Sequence, residues 1–280
     1  MPFSLSWISR CVAFTLALVV VVGSASAAGL PPVPDAIKDA GLVRVGTKCD
    51  YPPYGYLDNQ GKPQGVEVNL GRQIAKYALG DSSKVELVCV TSANRIPSLV
   101  GGKIDVIIAT MGINAKRKEV IDFTDPYAWG GSEIVVPSDS SVKGMADLKG
   151  KTVVFIKGAW QIPWFEKNLP DVQTLKLDSV SDALQALLQG RADAYAHDLT
   201  VLAGLAKNNK KIRLGGEVYQ IGFTGAGVRK GETEWRDFVS AAIKKAAEDG
   251  LTAKWIREHV EPDLQDAVMN TWDLDKAPKS

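Results

Sequence analysis

Residues 42–79 read LVRVGTKCDYPPYGYLDNQGKPQGVEVNLGRQIAKYAL, and the change of period inside this stretch decides the fold. Leu42 to Thr47 alternates apolar and polar side chains, the two-residue repeat of a strand, whereas Val68 to Leu79 spaces its apolar residues as a helix does. The prolines and glycines between them supply the turn. Outward from there, Val85 to Val90 and Val106 to Ala109 are further β-branched runs, with a helical pattern at Ile96 to Val100 between them. Strand and helix in alternation predict βαβ units and a mostly parallel sheet.

A second series follows the Gly130-Gly131 pair. Ile134 to Val136, Thr152 to Ile156, Thr174 to Leu177 and Ala192 to Ala196 read as strands, and Ala183, Leu184, Leu187 and Leu188 form a helical face before the last of them. After a strand-like Gly225 to Val228, the stripe Trp235, Phe238, Val239, Ala242, Ile243 and Ala246 is strongly helical. Two α/β lobes follow, one from residues 28–130 and 222–280 and the other from 131–221. The glycine clusters at 130–131 and 222–227 are then two crossovers, which together make a hinge.

The 280 residues are 45% hydrophobic and 23% charged, a balance that excludes disorder. Residues 1–27 carry a single charge, Arg10, then an apolar run from Cys11 to Val22 and a small-x-small pattern at Ala25-Ser26-Ala27. That is the pattern of a cleavable signal peptide, and the run is shorter than the roughly 20 residues a membrane span needs. Without Arg10 the formal charge of +1 becomes zero, which argues against nucleic acid or a polybasic membrane surface as partners. Cys49 and Cys89 remain as an even pair in an oxidising compartment, either as a disulfide or as two buried thiols. With only His197 and His259 and no zinc-ligand spacing, no metal site is expected.

Four blocks carry more specific information: VRVGTKCDYPPYGYLDNQGKPQGVEVNL at 43–70, SLVGGKIDVIIATMGINAKRKEVIDFTDPY at 98–127, DLKGKTVVFIKGAW at 147–160 and ALQALLQGRADAYAHD at 183–198. Through them the chain resembles the polar amino-acid class of periplasmic solute-binding proteins, the bilobed type II receptors of ABC importers. The resemblance implies an α/β fold of two lobes joined by two hinge crossovers. It also implies an amino-acid-like ligand, no cofactor, a membrane ABC permease as partner, and a monomer.

On this resemblance Arg117 holds the ligand's α-carboxylate, for which its planar fork is suited. Asp198, at the carboxyl end of a strand, pairs with the α-amino group. The other candidates are an aromatic wall of Tyr51 and Tyr54, together with Gly112, Asn114, Gly158 and Trp160. Simpler roles stand beside these: packing under a loop for the tyrosines, a surface ion pair with Glu119 or Asp122 for Arg117, and capping of the helix from Leu199 for Asp198. Gly112, Asn114 and Trp160 replace hydroxyl residues common in the family, and Trp160 either narrows the pocket or lines it differently. Lys48 and Arg95 suit a second carboxylate, the alternatives being a solvated Lys48 and an Arg95 that braces the interface. The family's strand order makes Cys49 and Cys89 neighbours and favours a disulfide. The segment Asp122 to Tyr127 reads as structural packing at the hinge entry.

Two other classes share the scaffold. A periplasmic lyase resembling cyclohexadienyl dehydratase would need an acid or base in the cleft, with His197, Asp198 or Glu133 as candidates. An accessory protein of a periplasmic enzyme would need no ligand at all. Since Arg117 and Asp198 already account for a zwitterion, a binding protein without catalytic residues is the expectation.

Overall fold

A computed structural model describes residues 29–278, so the leader assigned to 1–27 lies outside the described residues. Strand Val43–Thr47 runs parallel to both of its neighbours, Val85–Cys89 and Val106–Ile107. Gly227–Arg229 and Ile121–Phe123 complete a five-stranded sheet, with Gly227–Arg229 antiparallel to the strands on either side. Helix Val66–Leu79 buries Val66, Leu70 and Ile74 at four-residue spacing. At Gly71 it lies so close to the sheet that a Cβ would stand 3.0 Å from Val45 Cγ1.

The second sheet is built on Ala128–Pro137. Its order is Gln173–Leu177, Thr152–Ile156, Ala194–Asp198, Ala128–Pro137 and Ile212–Leu214. The first three strands are parallel, and Ala128–Pro137 is antiparallel to its partners. Gln220–Thr224 also pairs with the first half of Ala128–Pro137, placing Gly222 opposite Gly130. The expectation of mostly parallel sheets holds in strand sense: in each sheet one strand, Gly227–Arg229 in the first and Ala128–Pro137 in the second, runs against all the others. The chain passes between the lobes along Ala128–Pro137 and returns along Gln220–Thr224, and strands of opposite sense pair antiparallel.

Helices Thr233–Glu248 and Leu251–His259 return to the first lobe, where the stripe from Trp235 to Ala246 is buried. A short helix, Gln265–Thr271, then lies across the start of the crossing strand. Trp129 Nε1 donates to the Asn270 and Asp273 carbonyls at 2.9 and 3.0 Å, and Trp272 packs on Tyr127 with ring centroids 5.0 Å apart and planes tilted by 37°. Cys49 and Cys89 form a disulfide with Cα atoms 5.5 Å apart. Thr47 and Cys89 are register partners, so Cys49 projects from the turn just beyond that pair. Among the described residues no helix is long and apolar enough to cross a membrane.

Candidate functional site

The carboxyl ends of the parallel strands from both sheets meet at one cleft, as open α/β sheets present their ligand crevices. The first lobe contributes Lys48, Tyr51, Arg95, Thr110 and Gly112; the second contributes Trp160, Gln161, His197 and Asp198. The lobes touch across it. Tyr51 donates its hydroxyl to Asp198 Oδ2, Tyr54 donates to Thr200 Oγ1 at 3.2 Å, and Arg117 Nη2 donates to the Gly158 carbonyl at 3.0 Å. What space remains is two cavities of about 40 and 10 Å³, both lined by Trp160 and Asp198.

Asp198 stands at the N-cap of helix Leu199–Asn208, yet its side chain makes no capping bond. Oδ1 instead accepts from Trp160 Nε1 at 2.8 Å and Gln161 Nε2 at 2.7 Å. The capping alternative is therefore not realised: the carboxylate is turned to the donors that the neighbouring strand's loop presents.

Arg117 makes no pair with Glu119 or Asp122, and Asp122 is held by Lys230 at 2.8 Å. The guanidinium turns back to the Gly112 carbonyl at 2.5 Å. Burial, then repulsion from Arg95, pulls Arg117 down to about 9, with Asp198 opposing. An anion in the cleft would relieve both effects.

Asn114 departs from its expected place. It lines neither cavity, and its Oδ1 accepts the Arg117 backbone N–H at 2.9 Å, capping the helical turn Ala115–Lys118. Its contribution is to orient the turn that carries Arg117.

A Cβ on Gly222 would come within 2.6 Å of the Trp160 ring, so glycine on the hinge makes room for an indole from the second lobe, whereas a Cβ on Gly112 would meet the ring at an ordinary 3.4 Å. Gly158, at φ +75°, packs so closely on the first lobe that a Cβ would lie 2.7 Å from the Ser92 carbonyl.

Lys48 is fully buried, against the solvated alternative, and pairs with Asp50 at 3.1 Å, which offsets the burial that lowers its pKa. Arg95 is buried too. It donates to the Ala109 carbonyl at 2.5 Å within its own lobe, leaving Nε without an acceptor among the described residues.

Four side chains escaped the sequence analysis. Glu67, buried, accepts from Thr110 N at 2.9 Å, Thr110 Oγ1 at 2.8 Å and Tyr127 Oη at 2.5 Å. Thr110 is thereby held at φ 45°, a left-handed conformation costly for a β-branched residue, which turns the chain toward the cleft. Tyr127, read as packing, thus also bonds Glu67 and lines the larger cavity. Gln161 is the fourth. The one available signal was Glu67 itself, an acid flanked by Val66 and Val68 on an otherwise apolar face.

Of the proposed acids and bases, Glu133 accepts from Gly216 N at 2.7 Å and lines neither cavity. His197 Nδ1 accepts the Asp198 backbone N–H at 2.6 Å and lies 3.1 Å from Tyr51 Oη. Burial carries its pKa down to about 4, so the imidazole is neutral, with its proton on Nε2.

The sequence model of the bacterial extracellular solute-binding proteins, family 3, matches residues 43–261. The ABC transporter glutamine-binding protein of Bacillus subtilis is 34% identical over 265 residues, covering 91% of this chain and 97% of the relative. Among solved structures, the solute receptor for L-cysteine of Neisseria gonorrhoeae has a TM-score of 0.80 at 34% identity, covering 84% and 96% of the two chains. The cysteine-binding protein of Campylobacter jejuni has a TM-score of 0.78 at 35% identity, covering 81% and 92%.

Proposed function

The chain belongs to the bacterial extracellular solute-binding proteins, family 3, a substrate-binding protein of the ABC-importer type, and from that premise we propose that it captures a free amino acid between its lobes. What supports this reading is that Arg117, which lines neither cavity but donates to the Gly158 carbonyl across the lobes, feels the charge of Asp198, which lines both. Arg117 takes the α-carboxylate and Asp198 the α-amino group. Because only the closed form makes both contacts, the ligand favours closure. Residues 28–130 with 222–280 then move as one body against 131–221, about the paired crossing strands. Arg95 Nε offers a donor to an oxygen at the ligand's side-chain end. Lys48, already offset by Asp50, leaves room for a neutral amide as well as a carboxylate.

The protein is exported to the periplasm through its leader, acts as a monomer, needs no cofactor and delivers its ligand to a membrane ABC permease. It binds without turnover, since the cleft histidine is spent on a backbone N–H and Glu133 on a second one. The test is calorimetry and thermal shift of the mature protein with the twenty amino acids. A ligand at 100 times its Kd adds about 2.7 kcal/mol of stability. Arg117→Ala and Asp198→Ala should each lose ~2 to 5 kcal/mol of affinity, much of it the cost of leaving a ligand charge unpaired; Asp198→Ala should also melt earlier without ligand, because the Trp160 and Gln161 donors lose their acceptor, so affinity is compared well below that temperature. Unchanged affinity in either variant, or conversion of the ligand to product, rejects the proposal.

A further inference from the structure

We propose that Trp160 is a gate on the ligand's amino end: its indole N–H holds Asp198 Oδ1, the oxygen left to an ammonium once closure has brought Tyr51 onto Oδ2, and binding exchanges one for the other. This rests on the assignment of Asp198 to the α-amino group.

Asp198 Oδ1 already carries two donors, Trp160 Nε1 at 2.8 Å and Gln161 Nε2 at 2.7 Å. A carboxylate oxygen has two lone-pair sites, so this one is full. Gln161 Nε2 is shared with Ser132 Oγ at 3.0 Å, which pins the amide and leaves the indole as the donor with freedom to depart. Oδ2 accepts from Tyr51, which belongs to the other lobe and withdraws when the lobes part. Trp160 and Gln161 do not withdraw. They follow strand Thr152–Ile156, the parallel neighbour of the strand ending in Asp198, so all three travel together. A ligand entering an open cleft therefore meets Asp198 with its inner oxygen occupied.

The indole's position fits the same role. Trp160 lines both cavities, and its ring lies against Gly112 of the first lobe and Gly222 of the hinge. With Thr110 and Asp198 it borders both spaces, so moving it off Asp198 frees the oxygen at the boundary between them.

A fixed wall and a gate differ in sign. Trp160→Phe keeps an aromatic ring and removes the N–H. For a gate, the variant loses a bond that the bound state had already surrendered, so affinity rises, by about tenfold for a donor on a carboxylate. The rise is confined to ligands that carry the α-ammonium. The probes are L-glutamate with glutarate and L-glutamine with glutaramate, each pair differing by the amino group, after a screen of the twenty amino acids. Whichever amino acid the parent binds should gain in the variant, while its des-amino counterpart should not. In the parent, the indole N–H resonance that is absent from Trp160→Phe should shift on ligand addition. Equal or weaker amino-acid binding by the variant, or an unmoved indole resonance, overturns the gate and leaves the binding function standing. A parent that binds none of the twenty amino acids overturns both. Should Trp160→Phe melt early, Trp160→Leu, which also lacks the N–H, takes its place in the same comparison.

Discussion

Acid should loosen this protein through His197, and the size of the effect follows from how the ring is held. His197 is 5% exposed, its Nδ1 accepts the Asp198 N–H, and that nitrogen lies 3.1 Å from Tyr51 Oη across the cleft. The rings of Tyr51 and Tyr195 pack on it at 5.0 and 5.4 Å. Burial is the main force lowering its pKa to about 4; Lys48 and Arg95 add to it, and Asp198 and Asp50 oppose it. In the unfolded chain the imidazole takes a proton below its ordinary 6.5, whereas the folded protein refuses one until about 4. Between those values the unfolded state binds more protons, so stability falls as pH drops through that window and His197 contributes no pH dependence above it. At 1.36 kcal/mol per pH unit, moving from pH 7.5 to 4.5 costs about 2.5 kcal/mol. The assay is urea unfolding at both pH values for the parent and for His197→Asn, whose Oδ1 can accept the same N–H without titrating. The parent should lose about 2.5 kcal/mol more than the variant, since all other titrating groups cancel in the difference. A difference below about 1 kcal/mol refutes the assignment of a buried, neutral His197.

Three further expectations concern the frame around the cleft. Cys49 and Cys89 close a loop with a sequence separation of 40, so the double serine variant should lose about 4 kcal/mol in urea unfolding on the chain-entropy account; a loss under about 1 kcal/mol contradicts it. Glu67→Gln places an amide donor against the donors of Thr110 and Tyr127 and should cost about 3 kcal/mol and weaken ligand binding; a variant with parental urea midpoint and affinity shows that the clamp on Thr110 is dispensable. Lys207, on the second lobe, reaches Glu261 and Asp263 on the first. Its exposure makes the contact salt-sensitive, so Lys207→Ala should flatten the salt dependence of ligand affinity without moving the melting temperature, and an unaltered dependence removes its role in closure.

The strands and helices were legible because their signals are local. The alternation at Leu42 to Thr47 and the stripe from Trp235 to Ala246 are properties of consecutive residues, and any fold of this chain must bury those faces. The same local logic placed Arg117 and Asp198 just beyond strand ends, hence at a cleft, and the resemblance made neighbours of Cys49 and Cys89. The sequence by itself therefore determined the two α/β units and offered Arg117 and Asp198 as candidates for the cleft between them. It did not determine their partners. Trp160 and Gly222 are 62 positions apart, and nothing in either neighbourhood says that an indole fills the space a missing side chain leaves. Asp198 looks locally like a helix cap, and Asn114 like a ligand donor. Only the tertiary structure sets Trp160 and Gln161 on the first, because hydrogen bonds go to whichever donors packing brings within about 3 Å, whereas the cap on the second is a local bond from the N–H three residues on. The mixed sense of the sheets had the same origin: periodicity fixes that Ala128–Pro137 and Gln220–Thr224 are strands, but their direction follows from the chain having to leave one lobe and return to it.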